Sequence, residues 1–442
     1  SALSSLQWTH FNTTLRTWPH SIDWTGAVIS TLLASTLRTQ LRSTPSWTSR
    51  EKRAFRLHLE QFLLSYDGQN ARSIRWQAFD DILWVVLNWV EGVRLLDEIE
   101  AVGGRDELGL GYSYEAERAK MLGRAKEFWK VAQSGWSEDL CGGGMNWSPW
   151  LEVYKNAITN ELWISASSSL YLYAEGPTGG GATREEKEGW LVGAVKGYAW
   201  LNGSHMTNEQ GLYTDGFHIS QLFVPDAPRP LQCDERNEMV YTYNQGTVLT
   251  GLRNLFLATG DRQYLEDGYA LISAITTKES WLTHDGILEE ICDTRGRCSQ
   301  NGQMFKGIWA QHVGEFCSPL APDLLRFTGK YGREVVQRHG KVCREIAGKF
   351  VRRNAERAWG TRKEGGMGCW WGVDEARARK EGVLGSGMID VQNPGFEDEK
   401  SGRDQKVLGD DGAVVVEGGD LNDRGRGRTV ECQAGGMSII RA

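Results

Sequence analysis

One segment of the chain is apolar around its whole circumference, which restricts where it can lie in a folded protein. From Ile82 to Val90 nearly every residue is apolar, too many for the single stripe of an amphipathic helix. A helix of this kind needs neighbours on nearly all sides. The sequence therefore predicts a buried helix from about Ala78 to Glu100 that other helices enclose.

Helical patterns follow one another along the rest of the chain, with few strand signals between them. We expect them at Leu3 to Leu15, Ile22 to Leu41, Ser49 to Ser65, Tyr114 to Ala132, Tyr154 to Tyr173, Glu185 to Leu201, Asn244 to Ala258, Arg262 to Thr276, Gly302 to Phe327, Glu334 to Ala358 and Glu431 to Arg441. About twelve helices, mostly paired, suit an all-α toroid in which outer helices cover an inner ring. The inner helices are expected to be the more apolar ones. We expect a single catalytic domain over residues 1–442, with a flexible insertion at about 375–429 that is rich in Gly, Asp, Arg and Lys.

Composition and motifs exclude several classes of function. The net charge is -7 and no long basic run occurs, which argues against nucleic acid as a partner. The sequence contains no run of eighteen apolar residues, so no membrane span is predicted. No GxGxxG motif follows a strand and no phosphate loop occurs, so we expect no nucleotide cofactor, and no other cofactor is indicated. The 19 Trp residues favour a carbohydrate ligand, because indole rings stack on the apolar faces of sugars as well as filling cores.

The cysteines and sequons favour an extracellular setting. Eight Cys residues occur without a CxxC pair, which argues against a structural zinc site. Cys292 and Cys298 are close enough in sequence to form a local disulfide. Sequons begin at Asn12, Asn146 and Asn202, so we expect a secreted or cell-wall-associated glycoprotein.

Two adjacent acids, Asp80 and Asp81, stand at the mouth of the apolar helix. Helix N-termini favour acidic residues, so capping is one interpretation of this pair. The other interpretation depends on the aromatic residues around the pair, which are Trp76, Phe79, Trp84 and Trp89. In a partly apolar pocket two carboxylates repel and one tends to keep its proton. One ionised and one protonated carboxyl is the pair that glycoside hydrolysis requires.

Six short stretches, spaced over residues 79–308, resemble glycoside hydrolase family 76, the endo-α-1,6-mannanase family. They are Phe79-Asp80-Asp81 with Trp84, Gly143-Gly144-Met145-Asn146-Trp147, Tyr154-Lys155-Asn156-Ala157-Ile158-Thr159-Asn160, Leu212-Tyr213-Thr214-Asp215-Gly216, Tyr241-Thr242-Tyr243-Asn244-Gln245-Gly246 and Gln303-Met304-Phe305-Lys306-Gly307-Ile308. The likeness covers roughly residues 1–371, and the last helix near Cys432 returns to the family pattern. Asn146, where the family often has an aromatic residue, and the 375–429 insertion depart from it.

The resemblance implies an (α/α)6 barrel and an enzyme that cleaves α-1,6-linked mannose chains with retention. It implies Asp80 as the nucleophile and Asp81 as the general acid/base. Side chains at successive helical positions diverge by about 100°. Neighbouring aspartates can therefore flank one bond only at a helix end, where the cleft is open.

Other residues of these stretches are candidate contacts for the sugar, each with a structural alternative. We expect substrate contacts from Asp215, Tyr243, Asn244, Gln245, Trp147 and Trp150. The alternatives are a turn for Asp215, a helix N-cap for Asn244 and core packing for the two tryptophans. For Lys306 we favour pairing with a carboxylate.

No metal site is predicted. Four acids, Asp285, Glu289, Glu290 and Asp293, cluster in one segment, but their spacing does not match an EF-hand loop. We favour a solvated acidic loop over a calcium site.

The sequence leaves several functions to be weighed. The first is an α-1,6-mannan hydrolase, expected to be a monomer that binds mannan or mannooligosaccharides. A transglycosidase of the same family would use the same two aspartates and pass the sugar to a cell-wall acceptor. A catalytically silent glycan-binding barrel would bind without turnover, although both carboxylates argue against it. Another toroid enzyme, such as an unsaturated glucuronyl hydrolase or a sugar epimerase, would need His or Arg groups in the pocket, and the chain has only eight His residues.

Overall fold

The computed structural model describes residues 1–65, 77–176, 181–224, 229–277, 286–290, 292–293, 298–320, 332–373, 422 and 427–442. Trp76, Asp285 and most of the segment 375–429 lie outside these ranges. The helices are, in chain order, α1 (Ala2–His10), α2 (Asp23–Ser43), α3 (Ser49–Leu64), α4 (Phe79–Ala101), α5 (Gly104–Leu108), α6 (Glu115–Ala132), α7 (Ala157–Tyr173), α8 (Arg184–Gly203), α9 (Asn244–Thr259), α10 (Gln263–Thr277), α11 (Gln300–Phe316), α12 (Arg333–Glu345), α13 (Arg352–Gly360) and α14 (Val430–Arg441).

Six of these helices form a closed inner ring in the order α2, α4, α7, α9, α11 and α14. They run parallel, as contacts between residues at matching heights show. Ser165 of α7 donates a hydrogen bond to the carbonyl of Thr247 on α9 at 2.8 Å. The ring closes between α2 and α14, where Thr25 donates to Glu431 at 2.8 Å. All six inner helices therefore begin at the same end of the ring.

The remaining long helices cover this ring from outside. Helix α3 packs on α2, α6 on α4, α8 on α7 and α10 on α9, while α1 and α13 pack on α14. Phe316 at the end of α11 meets His339 of α12, with ring centroids 5.5 Å apart. Helices α12 and α13 are joined by a π-helical segment, Ile346–Val351. The molecule is an (α/α)6 barrel, and the predicted fold class is confirmed.

The inner helices differ from the expectation in their composition. Helix α4 is apolar almost throughout, but α7 buries Thr159, Ser165, Ser167 and Ser168 completely. Ser165 and Ser168 donate to neighbouring backbone carbonyls and Ser167 accepts the indole N–H of Trp129, so an inner helix can be buried without being apolar. Within the described residues, no helix combines the length and hydropathy needed to cross a membrane.

A small sheet lies just ahead of α7, at the end where the inner helices begin. Its strands are β1 (Lys155–Asn156), β2 (Gly216–His218) and β3 (Glu235–Asn237). They pair antiparallel in the order β1-β2-β3. Because β1 takes up Lys155 and Asn156, helix α7 begins at Ala157 and not at the predicted Tyr154.

Four disulfides tie the barrel together. The predicted local bridge between Cys292 and Cys298 is confirmed. The other bridges are Cys141–Cys233, Cys317–Cys343 and Cys369–Cys432. These three join cysteines that are 26 to 92 residues apart, so local spacing did not indicate their pairing.

Candidate active site

The two adjacent acids lie in the first turn of inner helix α4. The residue that caps this helix is Ala78, which offers no side-chain cap. Asp80 accepts a hydrogen bond from the backbone N–H of Asp81, with N to Oδ1 at 3.0 Å. Both acids are partly exposed. Capping does not use up the pair, and the pair stands at the helix end that flanking one bond requires.

The helix arrangement adds a favourable field at this end. All six inner helices point their N-termini toward the acid pair, because the helices are parallel. Each N-terminus carries a partial positive charge and free N–H groups. Negative charge is therefore stabilised at this mouth of the barrel more than at the other.

Trp147 connects the acid pair to a neighbouring loop. Its indole Nε1–H donates to Oδ2 of Asp80 at 3.1 Å. Its backbone carbonyl accepts the N–H of Phe79 at 2.8 Å, so the loop also fixes the start of α4. Trp147 is half-buried and meets the ring of Tyr154 edge-on, with centroids 6.4 Å apart. The structure thus gives Trp147 a direct contact with a candidate catalytic carboxylate.

A buried lysine and a buried asparagine shape the loop that carries Trp147. Lys155 has no exposed surface and donates to the carbonyls of Gly143 at 2.7 Å and Gly144 at 2.6 Å. Burial lowers its pKa to about 7. Asn160 accepts the backbone N–H of Met145 at 2.7 Å and donates to its carbonyl at 3.2 Å. These residues act on the chemistry indirectly, by holding the loop.

Gly144 is required where the loop turns. Its φ is +82°, in the left-handed region that favours glycine. A Cβ there would also lie 2.6 Å from the indole of Trp200 on α8. Any other residue at 144 would push the loop, and Trp147 with it, away from α8.

Charge and burial separate the two acids. Burial and the neighbouring Asp81 raise the pKa of Asp80 well above its usual range, while the N–H groups of Asp81 and Trp147 oppose that rise. Burial and the charge of Asp23 raise the pKa of Asp81 to about 7. Hydrogen bonds from N–H groups favour the ionised form of a carboxyl, and a nearby negative charge favours the protonated form. Both carboxyls have a raised pKa, so the pair holds a proton at neutral pH, with the N–H donors on Asp80 and the added negative charge beside Asp81.

Asp23 is a third acid at this mouth that the sequence did not single out. It is the first residue of α2, and the capping position belongs to Ile22, which has no side-chain cap. The next residue, Trp24, stacks on Trp84 of α4 with centroids 5.8 Å apart. No sequence signal indicated a role for Asp23, because a single acid at a helix start suggests no more than a cap.

Asp215 belongs to a second polar group on the small sheet. Tyr154 donates to Oδ2 of Asp215 at 2.6 Å, and Asn237 donates to the same oxygen at 3.1 Å. The ring of His218 stacks on Tyr154 with centroids 4.3 Å apart. Burial raises the pKa of Asp215. No sequence signal indicated Asn237, which reaches this group only because β3 pairs with β2.

Tyr243 interacts with both acidic groups through their charge. Its ring stacks on Phe305 with centroids 4.0 Å apart and planes 5° from parallel. Burial raises its pKa, and the charges of Asp215 and Asp80 raise it further. The phenol is therefore close enough to interact with both carboxylates.

Asn244 and Gln245 are placed deeper than a direct sugar contact requires. Neither has exposed surface. Gln245 accepts the N–H of Tyr213 at 2.8 Å and donates to the carbonyls of Tyr213 at 2.9 Å and Tyr241 at 3.0 Å. This geometry gives Gln245 a supporting role beneath Tyr213, in place of the predicted contact. Asn244 is the first residue of α9, so the alternative of an N-cap is also wrong, because that position belongs to Tyr243.

The other predicted residues divide between rim and core. Trp150 is 54% exposed, so its ring is open to a ligand. Lys306 is buried and pairs with Asp293, which agrees with the structural reading. Asp293 and Glu290 are buried, so the prediction of a solvated acidic loop is wrong for these two acids. Glu290 accepts the backbone N–H of Thr242 at 2.9 Å and thereby supports the segment before Tyr243.

An (α/α)6 barrel with two adjacent carboxyls and a cluster of polar aromatic residues at one mouth defines a protein of the glycoside hydrolase class. The comparison with protein families gives a particular member of that class. The model described as Glycosyl hydrolase family 76 matches residues 108–382, and the chain belongs to this family. The resemblance found in the sequence is confirmed. Asp80 and Asp81 precede the matched segment, so their assignment depends on the geometry above.

Curated relatives with similar sequence come from fungi. Mannan endo-1,6-alpha-mannosidase DFG5 of Saccharomyces cerevisiae is 27% identical over 206 residues, which are 46% of this chain and 40% of that protein. Mannan endo-1,6-alpha-mannosidase DCW1 of Candida glabrata is 24% identical over 195 residues, 42% of this chain and 38% of the relative. The chain thus spans about two fifths of the length of these relatives.

Solved structures share the fold over nearly the whole chain. An α-1,6-mannanase from a Salegentibacter species superposes with a TM-score of 0.56 at 17% identity, covering 100% of this chain and 97% of that one. That structure is an inactive variant in which two aspartates are replaced by alanine, in complex with α-1,6-mannotetrose. Dfg5 from Chaetomium thermophilum, in complex with glucosamine, gives a TM-score of 0.58 at 15% identity, covering 95% of this chain and 80% of that one.

Proposed function

We propose that this protein is a retaining glycoside hydrolase that cleaves α-1,6-linked mannose chains through Asp80 and Asp81. The observation that carries the proposal is the unequal environment of the two neighbouring carboxyls. Asp80 receives N–H donors and Asp81 faces a further negative charge. A retaining glycosidase needs this division into one nucleophile and one proton donor.

The relatives support the choice of substrate and of residues. The sequence relatives are named as mannan endo-1,6-alpha-mannosidases. The Salegentibacter mannanase was made inactive by replacing two aspartates and holds an α-1,6-mannotetrose. By analogy, Asp80 and Asp81 take the place of such a pair in this chain.

In the first step, the carboxylate of Asp80 attacks the anomeric carbon as the bond to the leaving oxygen breaks. Asp81 gives its proton to that oxygen, and the shortened chain departs as an alcohol. The sugar is then covalently attached to Asp80. In the second step, Asp81 takes a proton from water, the hydroxide oxygen attacks the anomeric carbon, and Asp80 is released. Each step inverts the anomeric carbon, so the two steps together retain its original configuration.

The proposed subsites follow from the positions of the polar and aromatic groups. Tyr243 would bind a hydroxyl of the sugar nearest the acids, because it interacts with both Asp80 and Asp215, and Asp215 would bind a further hydroxyl on the other side of Tyr243. Trp150 would stack on a more distant ring at the exposed rim. Gln245 would act by holding Tyr213, and Lys155 and Asn160 by holding the loop of Trp147.

We place this enzyme outside the cell or in the cell wall. Four disulfides are expected in an oxidising compartment and are rare in the cytosol. Two of the three sequons, at Asn12 and Asn202, are exposed and open to glycosylation.

A fluorinated mannosyl reagent tests the nucleophile directly, because it slows the second step and allows the covalent intermediate to accumulate. We expect a single labelled peptide that contains Asp80, identified by mass spectrometry. A label on another residue would contradict the assignment. Product analysis of the native enzyme with excess mannooligosaccharide acceptor then separates hydrolysis from transglycosylation, since transfer gives products longer than the substrate.

A further inference from the structure

We propose that Asp23 is a third carboxylate of the active site, which faces Asp81 from the neighbouring inner helix and keeps the proton on it before substrate is cleaved. The inference deepens the proposed function and rests on it, because it assigns a positioning role to a residue outside the catalytic pair. Asp23 does not touch the reacting bond in this role. It acts through the charge that it places beside the proton donor.

The first argument is the alignment of two helix starts. Trp24 of α2 stacks on Trp84 of α4, with ring centroids 5.8 Å apart and planes at 25°. Trp84 follows Asp81 by three residues, so the two lie one above the other on the same face of α4. Asp23 immediately precedes Trp24. The first turn of α2 therefore stands beside the first turn of α4, with Asp23 and Asp81 at the same mouth.

The second argument is that no hydrogen bond or ion pair holds the side chain of Asp23 among the described residues. It does not cap its helix, since the capping position is held by Ile22. Within the described part of the chain, its carboxylate makes neither a hydrogen bond nor an ion pair. Its side chain is exposed at the mouth of the barrel. A free negative charge of this kind acts on its neighbours.

The third argument is the asymmetry across the acid pair. On one side Trp147 donates an N–H to Asp80. On the other side stands Asp23, whose charge, together with burial, raises the pKa of Asp81. The hydrogen-bond donor thus acts on Asp80 and the added negative charge acts on Asp81. A negative charge beside a carboxyl favours its protonated form, so Asp23 favours the proton on Asp81.

Other titratable groups around Asp81 do not supply the negative charge that Asp23 places beside it. Asp80 is on the same helix and is the partner in the pair. Tyr243, at the capping position before α9, interacts with Asp80. Glu431 of α14 packs against α2, but it is buried and bonded to Thr25 and Gln300. The carboxyl of Glu431 is held by these hydrogen bonds where α14 meets α2, whereas Asp23 lies exposed at the mouth of the barrel.

The test is the pH dependence of kcat/KM for an α-1,6-mannotetraose, measured for native protein and for Asp23→Asn. Removing the charge should move the alkaline midpoint down by about one pH unit, while the activity at acidic pH stays unchanged. At pH values above both midpoints this is about a tenfold loss. Asp23→Glu should restore most of the native profile. The matched control is Glu185→Gln, which removes an exposed acid from the first turn of outer helix α8.

Two further readouts separate an electrostatic role from a structural one. In 1 M salt the difference between native protein and Asp23→Asn should shrink, because the Debye length falls to about 3 Å and exposed charges are screened. With α-mannosyl fluoride, whose departure needs no proton, the two kcat/KM profiles should coincide on the alkaline side. An infrared titration of the carboxyl band that Asp81→Asn removes should show the same shift without turnover.

The outcomes distinguish this inference from the proposed function. If Asp80→Ala and Asp81→Ala are inactive but Asp23→Asn keeps the native midpoint, the role of Asp23 is wrong and the mechanism stands. A uniform loss at every pH, without a shift, would also overturn it, because Asp23 would then be a substrate contact or a folding residue. If Asp80→Ala or Asp81→Ala retains near-native turnover, the proposed function itself fails.

Discussion

The indole N–H of Trp147 donates a hydrogen bond to Oδ2 of Asp80 at 3.1 Å, and the backbone of the same tryptophan binds the N–H of Phe79 one residue earlier. One residue of a loop thus orients both the helix start and the carboxylate proposed as the nucleophile. The loop is in turn held by Lys155 and Asn160. The stretches that contain Trp147, Lys155 and Asn160 therefore orient the carboxylate of Asp80.

Trp147→Phe should lower kcat/KM on α-1,6-mannotetraose by about tenfold to a hundredfold. The substitution keeps an aromatic ring but removes a hydrogen bond to a charged group, which is worth about 1.5 to 3 kcal/mol. Steady-state kinetics measure the effect. Trp150→Phe is the matched control, because Trp150 stands at the rim, and it should change KM more than kcat. If the two substitutions lowered kcat/KM equally, the hydrogen bond from Trp147 to Asp80 would not contribute specifically to catalysis.

Asp80 and Asp81 should differ in their response to the leaving group. Both Asp80→Ala and Asp81→Ala should lose at least about 100-fold in turnover of α-1,6-mannooligosaccharides. With an aryl mannoside whose leaving group needs no proton, Asp81→Ala should keep a fast first step, seen as a burst of phenol, and Asp80→Ala should not. A burst from Asp80→Ala alone would reverse the two roles.

The sequence predicted the fold well because helix period and helix ends are local properties. Helix α4 was expected from about Ala78 to Glu100 and runs from Phe79 to Ala101. The interior of the barrel was harder to predict. Ser165 can be buried on inner helix α7 because the backbone of the adjacent helix α9 satisfies its hydroxyl, and no local pattern reveals such a partner.

Within the site, the sequence indicated the residues that stand in recognisable stretches and missed those that tertiary pairing adds. Asp80, Asp81 and Asp215 came from motifs. Asn237 joins Asp215 through strand pairing alone, and Asp23 joins the acid pair through the packing of α2 on α4. The sequence also did not predict how deeply a residue is buried. Gln245 is in a characteristic motif, but its amide is buried beneath Tyr213.

The kcat/KM profile of the native protein should be bell-shaped, with an alkaline midpoint near 7. Asp81 must carry a proton in the free enzyme to protonate the leaving oxygen, and its pKa is raised to about 7. Activity should therefore fall as the pH rises through that value. On the acid side, protonation of the pair removes the nucleophile. Since the two carboxyls titrate as a pair, the midpoints belong to both. A profile that stays flat above pH 8 would contradict Asp81 as the proton donor.

Asp81→Asn should make the protein more stable while making it inactive. The folded-state pKa of Asp81 lies above its ordinary value, so the folded state binds the proton more tightly than the unfolded state. The stability that this proton gives is complete below the ordinary pKa and is lost as the pH rises toward 7. Asn needs no proton, so the variant should melt about 2 °C or more above the native protein at pH 8 and near it at pH 4. Calorimetry at both pH values makes the comparison, and a lower melting temperature at pH 8 would show that Asp81 is not held in a destabilising environment.

At the far end of the barrel, a buried charge network predicts the opposite pH dependence. Arg94 donates to Glu315 at 2.5 Å and to Glu91 at 2.9 Å, and Arg38 donates to Glu91 at 2.6 Å. All four side chains are at most 10% exposed. The arginines hold the pKa of Glu315 well below its usual range. Because that folded-state pKa is depressed, the network stabilises the protein above the ordinary pKa of Glu and loses this effect as the pH falls.

Glu315→Gln should therefore lower the melting temperature at pH 7 by about 5 °C or more. Removing one partner of a buried ion pair leaves an uncompensated charge and costs about 3 to 5 kcal/mol. The difference from the native protein should narrow at acidic pH, where Glu315 of the native protein begins to lose its own charge. Glu188→Gln, which breaks an exposed pair with Arg184 on α8, is the matched control and should change stability by less than about 1 kcal/mol. If the two substitutions gave equal and small effects, the buried network would not contribute to the stability of the barrel, because the surrounding arginines would have found other partners.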